Sequence, residues 1–283
     1  MKIQQLLIPL LMVLFSCKSE TAEDYTPEHN AYRIVKNIVY NDISVDVIIE
    51  KPENDEVDVL IVYHGTVWYD SEILQAAGNV LEAFKRILDR DDMMIVSVAY
   101  PQENLLIGDN IAHAEAALLW VKNKANDELG IQVKKIFLAG HSQGGYLVTR
   151  LNTMHPTNGV IANGPGPLNL VFRCELEENG RIPHGFVCSL FYETFGSTTS
   201  NPDAYFDRSL LNFTGGYKAD ILFVQGLEDS PIQMRSWPVF KEQVMDCTDC
   251  QETIFVELPD FGHQALFHSP QARQAFNDFI NSR

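Results

Sequence analysis

The chain has 283 residues, of which 38 are acidic and 21 are basic, giving a formal net charge of −17 at pH 7. Acidic residues spread along the chain in such excess disfavour nucleic acids and anionic lipids as partners and favour solubility. Hydrophobic residues make up 46% of the sequence, and roughly 250 residues follow the N-terminal region, enough for one large domain with a substantial core.

Residues 1–16 have the pattern of a signal peptide. Lys2 supplies a positive charge, and the apolar run at 6–15 is too short to span a bilayer. The run ends in Leu14-Phe15-Ser16-Cys17, which resembles the lipobox of bacterial lipoproteins, a resemblance that implies acylation of Cys17. The alternative is an ordinary secretory signal with an unrelated cysteine. Both interpretations predict export, and the first predicts a cell-envelope lipoprotein held to a membrane by its N-terminal lipid.

Residues 17–32 are polar and acidic, which predicts a flexible tether, and the folded domain is expected to occupy 33–283. Within it, strand-like and helix-like segments alternate. Strands are predicted, in chain order, at 33–39, 44–50, 57–63, 93–99, 135–139, 160–162, 220–225 and 253–258. The first two should form an antiparallel pair. Helices are expected near 70–88, 111–121, 146–152 and 233–245, and from Pro270 onward. This alternation predicts an α/β fold with a mostly parallel sheet flanked by helices.

The alternation breaks at about 164–219, a stretch rich in phenylalanine and tyrosine. An irregular aromatic segment inserted late in such a sheet is interpreted as a cap over a site at the sheet edge. These residues are called the cap segment below.

Four cysteines follow Cys17, and an even number in an exported protein suggests two disulfides, for which three connectivities are possible. The chain-local pairing joins Cys174 to Cys188 and Cys247 to Cys250. A single Cys-x-x-Cys provides too few ligands for a zinc site, so no metal is expected.

Residues 140–144 form a Gly-x-Ser-x-Gly pentapeptide between the predicted strand 135–139 and the helix-compatible stretch 146–152. This is the context that a nucleophile elbow requires: a sharp turn exposes the hydroxyl of Ser142, and the glycines allow strand and helix to approach closely. A glycine-rich turn with an inert serine is the alternative.

A serine hydroxyl needs a base to accept its proton, and that base needs a carboxylate to orient it. Asp229 follows the predicted strand 220–225, and His263 follows 253–258. In a parallel sheet both loops share one edge with Ser142. Other assignments remain open at this point, with Glu228 or Asp260 as the acid and His268 as the base.

The pentapeptide 140–144, the acid turn Gly226-x-x-Asp229 and the histidine loop Gly262-His263, in the order Ser, Asp, His, resemble the α/β-hydrolase superfamily over about residues 57–281. The resemblance implies the α/β-hydrolase fold, with Ser142 as nucleophile, His263 as base and then acid, and Asp229 as the carboxylate that fixes the imidazole tautomer. It also implies backbone donors for an oxyanion. One is expected at Gln143, and the other at Gly65 or Thr66, because His64-Gly65 resembles the oxyanion dipeptide of the family.

Gly144-Gly145-Tyr146 is similar to prolyl-oligopeptidase-type peptidases and to acyl-ester hydrolases close to them. Only about forty residues lie between Cys17 and the core strand, too few for the propeller of such peptidases. We therefore expect hydrolysis of a carboxylic ester, on a small molecule or a polymer, with no cofactor. The alternatives are a peptidase acting on short peptides and a non-catalytic lipoprotein that binds a ligand. The sequence does not specify an oligomeric state.

Overall fold

A computed structural model describes residues 31–101 and 111–283. The predicted signal peptide, the acylation site Cys17 and nearly all of the predicted tether lie outside the described residues. The first strand begins at Tyr32, the last residue of that tether as predicted from sequence.

One sheet organises the described chain. Its strands are β1 (Tyr32–Tyr40), β2 (Ile43–Lys51), β3 (Glu56–Tyr63), β4 (Met94–Ala99), β5 (Gln132–His141), β6 (Gly159–Asn163), β7 (Ile221–Gly226) and β8 (Thr253–Leu258). The spatial order is β1-β2-β4-β3-β5-β6-β7-β8. β2 pairs antiparallel with β1 and β4, and every other neighbouring pair is parallel. The mostly parallel sheet predicted from the sequence is thus confirmed.

Helices connect the strands and cover both faces. They are α1 (Ile73–Ile87), α2 (Ala112–Asn123), α3 (Ala125–Leu129), α4 (Gln143–Met154), α5 (Leu170–Glu178), α6 (Phe186–Phe195), α7 (Pro202–Phe206), α8 (Pro231–Met245), α9 (Ala265–His268) and α10 (Pro270–Asn281). Short 3-10 helices occupy Asp70–Glu72 and Leu210–Asn212. None of the helices in the described ranges combines the length and apolar character needed to cross a bilayer.

The core has two parts, one on each face of the sheet. β3 shows why, because successive side chains of a strand point to opposite faces. Val59 and Ile61 belong to a cluster with residues of α2, α4 and α8, whereas Leu60 and Val62 pack with residues of α1 and α10. A strand segment buried on both sides is expected to be apolar at every position, which explains the continuous hydrophobic run at 59–63.

The cap segment is more regular than the sequence indicated. It contains α5, α6 and α7, and a disulfide joins Cys174 of α5 to Cys188 of α6. The second disulfide joins Cys247 to Cys250 after α8. The structure therefore contains the chain-local pairing out of the three possible ones.

Candidate active site

Ser142 lies at a sharp turn between β5 and α4. Its backbone has φ 58° and ψ −116°, a region that costs a non-glycine residue on the order of 1–3 kcal/mol and that concentrates at functional sites. The turn is held in place because the Ser142 N–H donates to the Asn163 carbonyl at 2.9 Å. This is the strained strand-to-helix turn that the pentapeptide predicted.

Two glycines make the turn sterically possible. A Cβ atom at Gly140 would collide with the backbone of Gly144, and one at Gly144 would collide with the Tyr63 carbonyl. The backbones of β5, α4 and the end of β3 therefore approach so closely that only glycine fits at these two positions.

His263 and Asp229 form a hydrogen-bonded pair, with 2.7 Å between His263 Nδ1 and Asp229 Oδ2. The Asp229 side chain is only 5% exposed, whereas that of His263 is 40% exposed. Burial raises the pKa of Asp229, but hydrogen bonds from His263, the Ser230 N–H and the Gln225 amide outweigh it, so its pKa lies below the ordinary value. The carboxylate is ionised near neutral pH and accepts from Nδ1–H, so Nε2 is the ring nitrogen that can accept a proton from the serine.

Close packing of two loops brings this pair together. A Cβ atom at Gly226, the last residue of β7, would collide with the carbonyls of Phe261 and Gly262 just before His263. Glycine at 226 therefore allows the histidine loop to lie directly on the loop that carries Asp229.

A second histidine, His141, packs against the ring of His263. Its ring centroid is 4.8 Å from that of His263, and its Nδ1 accepts a hydrogen bond from the Asn163 side-chain amide at 2.8 Å. Burial, with a smaller contribution from the charge of His263, lowers the pKa of His141 to about 3. His141 is therefore neutral at physiological pH. The sequence offers no indication of a role for His141, whereas residues 163–166 close a predicted strand at the same sheet edge and are a candidate lining of the site, with a simple turn as the default interpretation.

Two cavities meet at Ser142 and His263. The first has a volume of about 480 Å³ and is lined by Ser142, His263, Asp229 and Thr66 together with residues of the cap segment and α8. The second, of about 410 Å³, shares Ser142, His263 and Thr66 and is lined also by His64 and Gly65. The serine and the histidine are thus accessible from two adjoining spaces.

The expected oxyanion donors lie beside Ser142. Gln143 begins α4, so its N–H has no intrahelical acceptor. A Cβ atom at Gly65 would be 3.3 Å from Ser142 Cβ, which places the loop after β3 directly against the serine. The Gln143 side chain is buried, and within the described residues neither polar atom of its amide has a hydrogen-bond partner.

The other candidates for acid and base lie outside this arrangement. Glu228, Asp260 and His268 are exposed, and none lines either cavity. Within the described residues one group has the spacing of metal ligands, namely Cys247, Asp249 and Cys250. Both sulfurs of that group are joined in a disulfide, so they are not thiolate ligands.

Residues 45–163 match the family model described as BD-FAE, which is less than half of the chain. No curated protein matches the sequence. Among solved structures, a truncated form of a carbohydrate esterase from gut microbiota is 15% identical with a TM-score of 0.67, over 90% of this chain and 97% of that one. Est1E from Butyrivibrio proteoclasticus is 17% identical with a TM-score of 0.58, over 88% of this chain and 98% of that one.

A longer protein shares the same architecture. Acylaminoacyl peptidase from Pyrococcus horikoshii is 16% identical with a TM-score of 0.62 over 89% of this chain. The match covers 41% of that peptidase, so the chain spans about two fifths of its length. Identities this low establish the fold alone. The eight-stranded, mostly parallel sheet and the likeness to these solved structures together confirm that the chain has the α/β-hydrolase fold.

Proposed function

We propose that the protein is a serine hydrolase that cleaves a carboxylic ester through an acyl-enzyme on Ser142. The observation that carries the proposal is the hydrogen bond between the buried Asp229 carboxylate and His263, next to a serine held at a strained turn on the same cavity. A ligand-binding protein has no need of an ionised carboxylate that fixes one tautomer of an imidazole next to a nucleophile.

In the proposed reaction, His263 Nε2 accepts the proton of Ser142 Oγ as that oxygen attacks the ester carbonyl. The carbonyl oxygen gains the negative charge and accepts hydrogen bonds from the Gln143 N–H and from the N–H of Gly65 or Thr66. His263 then donates its proton to the departing alcohol, leaving an acyl-Ser142. A water molecule, deprotonated by His263, hydrolyses that ester and releases the acid.

The two adjoining cavities both include Ser142 and His263. An ester with its carbonyl at Ser142 would have one cavity for the acyl group and the other for the alcohol group. The match of residues 45–163 to BD-FAE and the likeness to esterases that this chain covers almost end to end favour an ester over a peptide bond. The likeness to acylaminoacyl peptidase makes cleavage of short peptides the second candidate.

A fluorophosphonate probe tests the proposal, since it labels an activated serine. We expect labelling of the wild type and none of Ser142→Ala. Ser236→Ala is the matched control, because Ser236 lines the same cavity but is expected to retain labelling. An unlabelled wild type would favour a binding protein. Preference for aminoacyl-prolyl anilides over 4-nitrophenyl acyl esters would favour the peptidase.

We also infer from the N-terminal sequence that the protein is exported and anchored to a membrane of the cell envelope through an acylated Cys17. Growth with radiolabelled palmitate tests this inference: the wild type should incorporate label and fractionate with membranes, and Cys17→Ala should do neither. Label retained by the variant would contradict it.

A further inference from the structure

Arg173, on α5 of the cap segment, is one of the residues that line the 480 Å³ cavity. Among the described residues that line this cavity, it is the only lysine or arginine. Asp229 also lines the cavity, but its carboxylate already accepts hydrogen bonds from His263, Ser230 and Gln225. The charge of Arg173 is therefore not needed to balance Asp229.

The guanidinium of Arg173 is anchored at one nitrogen. Its Nε lies 3.4 Å from Glu177 Oε1, and the other oxygen of Glu177 accepts the Gly185 N–H at 2.7 Å. In the parts of the chain that the structure describes, the two terminal nitrogens of Arg173 donate no hydrogen bond. The side chain is 37% exposed, whereas that of Glu177 is 3% exposed. A buried carboxylate thus positions the arginine and leaves its planar fork of donors available.

The cap segment is cross-linked next to this arginine. Arg173 and Val187 both line the cavity, and each precedes one cysteine of the Cys174–Cys188 disulfide. The start of α5 is fixed as well, since the Asn169 side chain accepts the Phe172 N–H at 2.9 Å. Because the arginine is held on a cross-linked wall, little conformational entropy would be lost when it binds a ligand.

A guanidinium on a residue of a cavity wall matches a carboxylate, which it binds through two parallel, charge-assisted hydrogen bonds. A protein with a net charge of −17 would otherwise repel an anionic substrate. We propose that Arg173 makes the enzyme selective for esters that carry a carboxylate on the half that occupies the 480 Å³ cavity. This inference rests on the proposed ester hydrolysis and adds the substrate class.

Two substrate series test the proposal, each with a charged member and a neutral one of almost the same shape. In the first, the carboxylate is on the acid: 4-nitrophenyl half-esters of adipic, pimelic and suberic acid are compared with their methyl-capped diesters. In the second it is on the alcohol: 3-acetoxybenzoic acid is compared with its methyl ester. The series that shows the preference identifies which half of the ester carries the carboxylate.

We expect wild-type kcat/KM to be higher for the charged member of one series by roughly 10- to 100-fold, the range for hydrogen bonds to charged groups. Arg173→Met should reduce that ratio to near one. The Arg173→Met, Glu177→Gln double variant should do the same without leaving a buried carboxylate unpaired. Arg181→Met is the matched control: Arg181 is exposed on the cap segment outside the cavity, so the ratio should be unchanged.

Equal rates for charged and neutral members in both series would overturn the inference while leaving ester hydrolysis intact. A preference that persists in Arg173→Met would also overturn it. If no ester is hydrolysed, the proposed function fails, and calorimetry then decides about Arg173. Monomethyl adipate should bind the wild type at least tenfold more tightly than it binds Arg173→Met, and equal affinity would refute the proposal.

Discussion

Asn163, at the carboxyl end of β6, is expected to contribute both to the free energy of unfolding and to the rate of catalysis. The residue is fully buried. Its side-chain amide donates to His141 Nδ1 at 2.8 Å, and its side-chain oxygen accepts the Leu266 N–H at 3.2 Å. In Asn163→Ala both partners lose their hydrogen bond inside the protein. At about 1–3 kcal/mol for each of the two unsatisfied buried groups, the free energy of unfolding should fall by about 2–6 kcal/mol.

The same substitution should slow catalysis, because both partners adjoin His263. The ring of His141 packs against that of His263, and Leu266 lies three residues beyond His263, in α9. Loss of the Asn163 bridge allows the imidazole to shift, and a displacement of about 1 Å can cost on the order of 100-fold in rate. We therefore expect kcat for an ester to fall between about 10- and 100-fold.

Asn152→Ala separates these two effects. Asn152 is also fully buried. Its side-chain amide donates to the carbonyl of Ala219 at 3.0 Å, and its side-chain oxygen accepts the N–H of Ala219 at 2.9 Å. It lies in α4 and does not line either cavity. Urea denaturation should show similar destabilisation of the two variants. Active-site titration with a fluorophosphonate, followed by kcat per labelled site, should show a loss for Asn163→Ala alone. The reasoning is refuted if kcat is unchanged in Asn163→Ala or falls equally in both.

Three further outcomes are expected. Asp229→Asn should lower kcat by about 10⁴-fold, since an amide no longer enforces the Nδ1–H tautomer of His263, whereas Glu228→Gln, an exposed neighbour, should retain wild-type kcat. Gln143→Met should leave the melting temperature unchanged or higher, because the buried amide has no partner among the described residues, and a fall by calorimetry would contradict this. Burial lowers the pKa of His64 from 6.5 to about 4. Between these two pH values the unfolded chain binds a proton at His64 and the folded chain does not. The free energy of unfolding therefore decreases as the pH falls below 6.5. Between pH 7 and 5 this loss should reach about 2 kcal/mol, and urea denaturation of His64→Phe should show a loss smaller by that amount.

The sheet could be predicted from the sequence because its strands carry the signal locally. β3 and β4 are apolar at nearly every position, as strands buried on both faces must be. The turn at Ser142 was also encoded locally, in two glycines whose missing side chains make room for neighbouring backbone. The helices of the cap segment gave a weaker signal, because α6 is apolar over most of its surface and has little periodicity.

Arg173 could not be identified from the sequence as a site residue, and Asn163 was a candidate only as the first residue of a segment that closes a strand at the edge of the sheet where the site lies. Arg173 lies four residues before Glu177, a spacing common to exposed helical ion pairs, and only the packing of α5 against the cavity distinguishes it. Asn163 precedes a glycine-proline sequence typical of a turn. A polar residue ending an otherwise apolar strand was the available signal, and Gln225 at the end of β7 gives the same signal next to Asp229.

The sequence alone does not decide which carboxylate pairs with His263, because Asp229 has acidic neighbours. β7 and β8 pair in parallel up to Gly226 and Leu258, so the loops that follow them leave the sheet side by side. That register explains why an acid shortly after β7 can reach a histidine shortly after β8, although 34 residues separate Asp229 from His263. The register alone is equally compatible with Glu228. The close contact of Gly226 with the carbonyls of Phe261 and Gly262 fixes how one loop lies on the other. Topology therefore brings the two loops together, and the hydrogen bond to His263 Nδ1 identifies Asp229 as the carboxylate that faces the imidazole.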